Sequence, residues 1–191
     1  MIPRQSVVVA GGIGSGKSQV LSLLSSLGWS VLKADELGHE VLMEAAVVGA
    51  ISERWPAAVI RGKVSRPALA TAVFTDLAEL EALEDLIQPV IANRIDAWIA
   101  PSPKPAAVEI SVLKVARPQW GPLLMVHAPM QSRRQRALER GMSADDVDAR
   151  MAVQPTDSEF LARADIVIDN QSTMANLIED TRRFDRWARS S

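Results

Sequence analysis

The chain of 191 residues contains no cysteine, which excludes disulfides, thiolate zinc sites, iron–sulfur clusters and cysteine nucleophiles. Histidine is nearly as scarce. His39 and His127 are the only two and lie far apart in sequence, so a multi-histidine metal centre is excluded as well. No apolar stretch approaches the roughly 18 residues needed to cross a bilayer, and no membrane association is expected. Met1-Ile2-Pro3-Arg4-Gln5 leads into an apolar run too short for the core of a secretory signal, so the expected location is the cytoplasm. Neither sign of charge is in excess: 21 Lys and Arg face 23 Asp and Glu, a net charge of −2. Nucleic-acid binders normally carry a basic surplus, so no nucleic acid is expected as a partner. Aromatic residues make up only 4%, and Trp29, Trp55, Trp98, Trp120 and Trp187 read as core or interface rather than as base-stacking platforms. What is present is ordinary for one soluble domain with a real core: 48% hydrophobic and 23% charged residues.

Ser6-Val7-Val8-Val9-Ala10 is a β-branched run ended by Gly11-Gly12, the pattern of a strand buried on both faces of a parallel sheet. Apolar residues then recur at helical spacing from Lys17 to Leu27, with Gly28 as a stop signal, and Trp29 to Leu32 forms a second strand. Strand, glycine loop, helix and strand make a βαβ unit. Helical periodicity follows at Leu37 to Val48, Pro67 to Phe74 and Leu77 to Trp98, with a short turn at Arg61-Gly62-Lys63. Pro101-Ser102-Pro103-Lys104-Pro105 closes this helical stretch. Strands are expected again at Ala107 to Leu113, Leu123 to Ala128 and Ala164 to Asn170. Helices are expected at Gln131 to Arg140, at Ser143 to Met151 with Ser143 as N-cap and Asp146 at N3, and at Met174 to Ala188.

Gly11-Gly12-Ile13-Gly14-Ser15-Gly16-Lys17-Ser18 fits G-x-x-x-x-G-K-[ST]. The glycines let successive backbone N–H groups converge on phosphate oxygens, and the helix that follows turns its positive end to the same anion. Gly12, Ile13, Gly14, Ser15, Gly16, Lys17 and Ser18 are therefore the expected nucleoside-triphosphate-binding residues. Lys17 would bridge the β- and γ-phosphates, and the Ser18 hydroxyl would hold Mg²⁺. The motif lies between a buried strand and a capped helix, as its mechanism requires.

From the residues alone Asp35 could serve the chemistry or the fold. It stands where a strand ends, facing the crevice in which α/β sheets bind ligands, and could accept a proton from an attacking hydroxyl or hold Mg²⁺ through water. It could equally cap the helix that begins at Glu36. Arg136 and Arg140 lie four apart on one helical face, a pair suited to a transferred phosphoryl group. Arg133 and Arg134 read as a solvated face.

The ordered set of Val8 to Ser18, Leu27-Gly28, Ala34-Asp35, Gly62 to Leu69, Val73-Phe74, Arg136 to Arg140, Arg150, Gln154 and Ala164 to Asn170 resembles the dephospho-CoA kinase family over nearly the whole chain. The resemblance implies phosphorylation of the ribose 3′-hydroxyl of dephospho-CoA with ATP and Mg²⁺. It gives Asp35 the catalytic role and places Lys17, Arg136 and Arg140 beside the transferred group. On the acceptor side the chain departs from the family: Lys33 stands where an Asp is usual, His39 where an Arg is common, and Gln88-Pro89 where a His-Pro pair shapes the acceptor pocket. Ser111-Val112-Leu113-Lys114-Val115 replaces Pro-Leu-Leu-Phe-Glu, His127 replaces a common Asp, and Gln19 a common Thr. Lys33, two residues from Asp35 on a strand, would share its face and enter the site; a solvent-facing lysine is the alternative. His39, one helical turn past Asp35, would contact the acceptor or serve structurally, and His127 reads as structural.

The expected architecture is thus a three-layer α/β/α P-loop kinase with a five-stranded parallel sheet. Its core would be 1–34, 106–130 and 156–191, its helical acceptor-binding insertion 35–105, and its lid 131–155. The acceptor is a small molecule, dephospho-CoA or an analogue, with Asp35, His39, Gln88 and Lys33 as candidate contacts. Two further readings are a paralogue acting on another small-molecule acceptor and a non-catalytic ATP-binding module that regulates a partner.

Overall fold

The structure is a computed structural model, and it describes residues 6–74, 76–111, 115–171 and 173–190. The opening pentapeptide Met1 to Gln5 and the acceptor-side departures Val112, Leu113 and Lys114 lie outside the described residues. The chain divides into two compact units, the second being Ala34–Trp98 and the first the remainder.

The first unit is built on five parallel strands in the order β2-β5-β1-β6-β7. These are β1 (Ser6–Ala10), β2 (Ser30–Lys33), β5 (Ala106–Glu109), β6 (Leu123–His127) and β7 (Ile166–Asp169). β1 lies at the centre and is buried along its whole length, which is why it reads as an unbroken Val run rather than an alternating one. Period-2 alternation splits its side chains. Val7 and Val9 join Ala107, Leu124, Val126 and Ile168 in a core covered by α1 (Lys17–Ser26) and α9 (Met174–Ser190) through Val20, Leu21, Leu24, Leu177 and Phe184. On the other face α8 (Asp157–Arg163) packs against β6. That gives the three layers.

α9 is tied down by polar contacts as well. Trp29 Nε1 donates to Asp185 Oδ1 at 2.6 Å, Arg189 Nε donates to the same oxygen at 2.7 Å, and the Trp29 and Phe184 rings stand 5.6 Å apart. Asp185 is therefore a buried acid whose Oδ1 accepts two hydrogen bonds, one of them from a guanidinium, the kind of partner a buried charge requires. This unit also contains α6 (Met130–Glu139) and α7 (Ala144–Val153), and Ser143 caps α7 by accepting the Asp146 N–H, as its sequence signature predicts. α8 has no counterpart in the sequence reading, although Thr156 and Glu159 form a complete capping box at its start.

The second unit contains α2 (Ala34–Val41), α3 (Ala45–Arg54), α4 (Arg66–Val73), α5 (Leu77–Ile99) and a two-stranded antiparallel hairpin, β3 (Val59–Ile60) and β4 (Lys63–Val64). The expected single helix from Leu37 to Val48 is two helices. Val41, Val47 and Ile51 all enter one cluster with Trp55, Leu69 and Val73, whereas Val41 and Val47 would stand about 120° apart around one straight helix. The break at Leu42 to Glu44 turns both onto the same core, and Arg94 of α5 bridges Glu40 and Glu44 across it. The expected turn at Arg61-Gly62-Lys63 is a hairpin. Arg61 at φ 52° and Gly62 at φ 74° give the two positive dihedrals of a type I′ connection.

Candidate functional site

The loop Gly11 to Gly16 connects the end of β1 to the start of α1, where the first N–H groups of the helix have no partners within it. Ser15 N donates back to Gly12 O at 3.1 Å and closes the loop on itself. Ser15 Oγ is buried without a hydrogen-bond partner, a polar atom of the kind a bound phosphate satisfies. Lys17 Nζ donates to Gly11 O at 2.8 Å and lies 4.0 Å from Glu109 Oε1 at the end of β5. Its ammonium thus sits over the loop between backbone carbonyls and one carboxylate. Ser18, the second residue of α1, is exposed.

Four side chains from distant parts of the chain hold this loop. Arg133 of α6 is only 4% exposed. Its Nε donates to Ala128 O at 3.1 Å and its Nη2 to Asp157 Oδ1 at 2.8 Å, while the rest of its guanidinium packs on Gly12. The expectation of a solvated Arg133 is corrected here: an arginine that neutralises a carboxylate and covers backbone can be buried. Arg134 is as expected, pairing on the surface with Asp148 through two hydrogen bonds of 2.7 and 2.9 Å. Those bonds hold the Asp148 carboxyl below its usual value. Arg136 Nη2 donates to Asn170 O at 2.8 Å, and its Nη1 lies 3.5 Å from Gly14 O. Asn170 Nδ2 donates to Ser15 O at 2.8 Å. Gln154 Oε1 accepts the Ile13 N–H at 2.8 Å. Arg140 caps the end of α6 and is exposed, so of the expected arginine pair only Arg136 is built into the loop's surroundings.

Lys33 is the last residue of β2, in register with Glu109 of β5. Asp35 is not on that strand, since α2 begins at Ala34, and the expected strand-face sharing of Lys33 and Asp35 is corrected. Asp35 occupies the first turn of α2 rather than its cap, and His39 follows one turn later on the same exposed helix face. Gln88 is half-buried in the middle of α5, which runs through Pro89 without ending. His127 ends β6 with Asp169 Oδ1 3.5 Å and Asp157 Oδ2 3.9 Å away. The sequence gives no sign of the grip of Gln154 and Arg133 on the loop, because 141 residues separate Gln154 from Ile13. Glu109 likewise went unmarked, hidden within an apolar strand run.

Comparison with known proteins places these features in one family. The family model described as dephospho-CoA kinase matches residues 5–176. A dephospho-CoA kinase of Frankia casuarinae is 35% identical over 95% of this chain and 82% of its own. A crystal structure of a Thermus thermophilus protein superposes with a TM-score of 0.84 at 30% identity, covering 95% of each chain. The dephospho-CoA kinase of Campylobacter jejuni, at 21% identity and a TM-score of 0.65 over 96% of this chain and 97% of its own, shares the fold.

Proposed function

The chain belongs to the dephospho-CoA kinase family, and from that premise we infer that it transfers the terminal phosphoryl group of ATP to the ribose 3′-hydroxyl of dephospho-CoA, giving CoA and ADP. The observation that carries this reading is the phosphate loop itself, with the Lys17 ammonium lying over it and a buried, unpartnered Ser15 hydroxyl within it. Other acceptors, or a module without turnover, are not favoured, since the family match spans both units.

In this reading the loop residues Gly12 to Ser18 cradle the triphosphate, and Lys17 moves from the carbonyls of Gly11 and Gly12 to the phosphate oxygens. Arg136 and Arg140 supply further positive charge, which phosphoryl transfer requires more than any covalent help. Asp35 accepts the proton of the 3′-hydroxyl as its oxygen bonds to the γ-phosphorus and the bond to the ADP oxygen breaks. Lys33, His39 and Gln88 contact the acceptor, residues 35–105 forming its binding insertion and 131–155 the lid that keeps water out. Mg²⁺ fits the site. The exposed Ser18 hydroxyl is a hard oxygen donor at the loop and would hold the ion. Bound there, Mg²⁺ would neutralise charge on the transferred group. Among the described residues no helix is long and apolar enough to cross a membrane, and we place the reaction in the cytoplasm.

The test is incubation of the purified protein with Mg²⁺, ATP and dephospho-CoA, with CoA detected by mass spectrometry and Asp35→Asn alongside. CoA formed at enzymatic rates and lost in the variant is the expected result. ATP bound with no CoA formed overturns it.

A further inference from the structure

Ile13 lies inside the phosphate-binding motif, yet its amide is already engaged by the protein. It donates to Gln154 Oε1 at 2.8 Å, a partly buried bond between residues 141 apart. We propose that Gln154 is a positioning residue for the nucleotide: its side-chain carbonyl holds the front of the phosphate loop so that the later amides, from Gly14 to Ser18, are fixed toward the phosphates. This rests on the kinase reading above.

The backbone around Gln154 is fixed from both sides. Gln154 is the extended residue that ends α7, at φ −81° and ψ 151°. Pro155 follows with its φ locked by the ring. Thr156 then caps α8, accepting the Glu159 N–H while Glu159 Oε2 accepts the Thr156 N–H at 2.8 Å. One residue further, Asp157 is paired with the buried Arg133, whose guanidinium packs on Gly12 beside Ile13. A Cβ on Gly12 would stand 3.3 Å from Gln154 Oε1, so the amide oxygen lies close against two consecutive loop residues. In the middle of α7, Asp148 ties it to α6 through Arg134. Gln154 therefore fastens the C-terminal end of the segment 131–155 to the loop, beside the contacts of Arg133 and Arg136, and nucleotide affinity depends on that fastening. A neutral acceptor suits the position, since a carboxylate would hold the same N–H while adding negative charge beside a triphosphate.

The test compares Gln154→Met, which keeps the length and removes the acceptor, with Gln154→Glu, which keeps the acceptor. Hydrogen exchange of the Ile13 amide is followed in the nucleotide-free protein. Dissociation constants for an unreactive ATP analogue are measured directly, with KM for each substrate, kcat and Tm alongside. The expected result for Gln154→Met is lost protection at Ile13 and a rise of about 3- to 10-fold in the analogue Kd and in KM for ATP, the range one such hydrogen bond provides. KM for dephospho-CoA stays within about twofold on the same scale, and Gln154→Glu retains the Ile13 protection. Unchanged exchange at Ile13 in the Met variant, or lost protection with an unchanged analogue Kd, overturns the proposal. An equal rise in both KM values with a lowered Tm also overturns it, as that marks a purely structural residue. The analogue Kd does not involve the acceptor, so failure of the dephospho-CoA reading and failure of this proposal are read from separate measurements.

Discussion

The guanidinium of Arg133 occupies the space that a side chain on Gly12 would need. The second glycine of the phosphate motif is thus demanded by an arginine 121 positions away rather than by a turn, since it is absent from the residues at positive φ. The motif glycines consequently have different reasons for being glycine, and substitutions at them should fail in different ways.

Gly12→Ala should push Arg133 aside and disturb the oxygen of Gln154 with it. An overpacked site of this kind costs about 1–3 kcal/mol, and the displaced loop should weaken ATP binding by about tenfold or more, one factor of ten per 1.4 kcal/mol. Nucleotide titration and thermal unfolding of the one variant check both effects. ATP affinity equal to that of the parent would show that Arg133 can move without consequence.

Arg133→Met should cost stability through the partner left behind. Asp157 loses its 2.8 Å pair and Ala128 O loses its donor. Asp157 is 29% exposed and water recovers part of the loss, so we expect about 2–3 kcal/mol rather than the larger penalty of a fully buried ion. Asp157→Asn combined with Arg133→Met should cost less than the sum of the two single changes. Denaturant unfolding of the four proteins measures the coupling, and strict additivity would count against a direct pair.

Asp35→Asn should lower kcat by about 10²- to 10⁴-fold, the usual contribution of a positioned base. ATP affinity should hardly change, because the residue lies in the first turn of α2 and not in the phosphate loop. Steady-state kinetics with a parallel nucleotide titration distinguish this from a general loss of folding.

The capping box of α8 gives acid sensitivity with a definite sign. The Thr156 backbone N–H, and next its hydroxyl, hold the Glu159 carboxyl below its ordinary value. A carboxyl depressed by folding stabilises the native state above its unfolded pKa, and that contribution is lost as pH falls through the depressed value. Stability should therefore decline below about pH 4, the region of an unperturbed glutamate. Glu159→Gln keeps the cap and removes the proton, so its Tm should fall less steeply with acid than that of the parent. Parallel Tm profiles for the two proteins would assign the acid loss elsewhere.

Much of the functional site is legible along the chain because its core is local. The strand Ser6–Ala10, the glycine loop and the helix from Lys17 follow one another within 21 residues, and each is set by short-range chemistry: β-branched packing, glycine dihedrals and helical periodicity. The parallel sheet, its apolar strands and the family resemblance were open to the same reading. Tertiary structure decided the rest. Lys33 and Asp35 look like neighbours on one strand, but the helix starts between them, because Leu37 and Val41 are buried on the inner face of α2. Arg133 reads as one of several surface arginines, and only the carboxylate of Asp157 and the carbonyl of Ala128 make its burial affordable. Gln154 is marked in the sequence only as part of the family resemblance, with nothing that says what it touches. Its role is set by a single hydrogen bond to Ile13 across 141 residues, and such pairings depend on how the elements pack rather than on the preferences of the residues that make them.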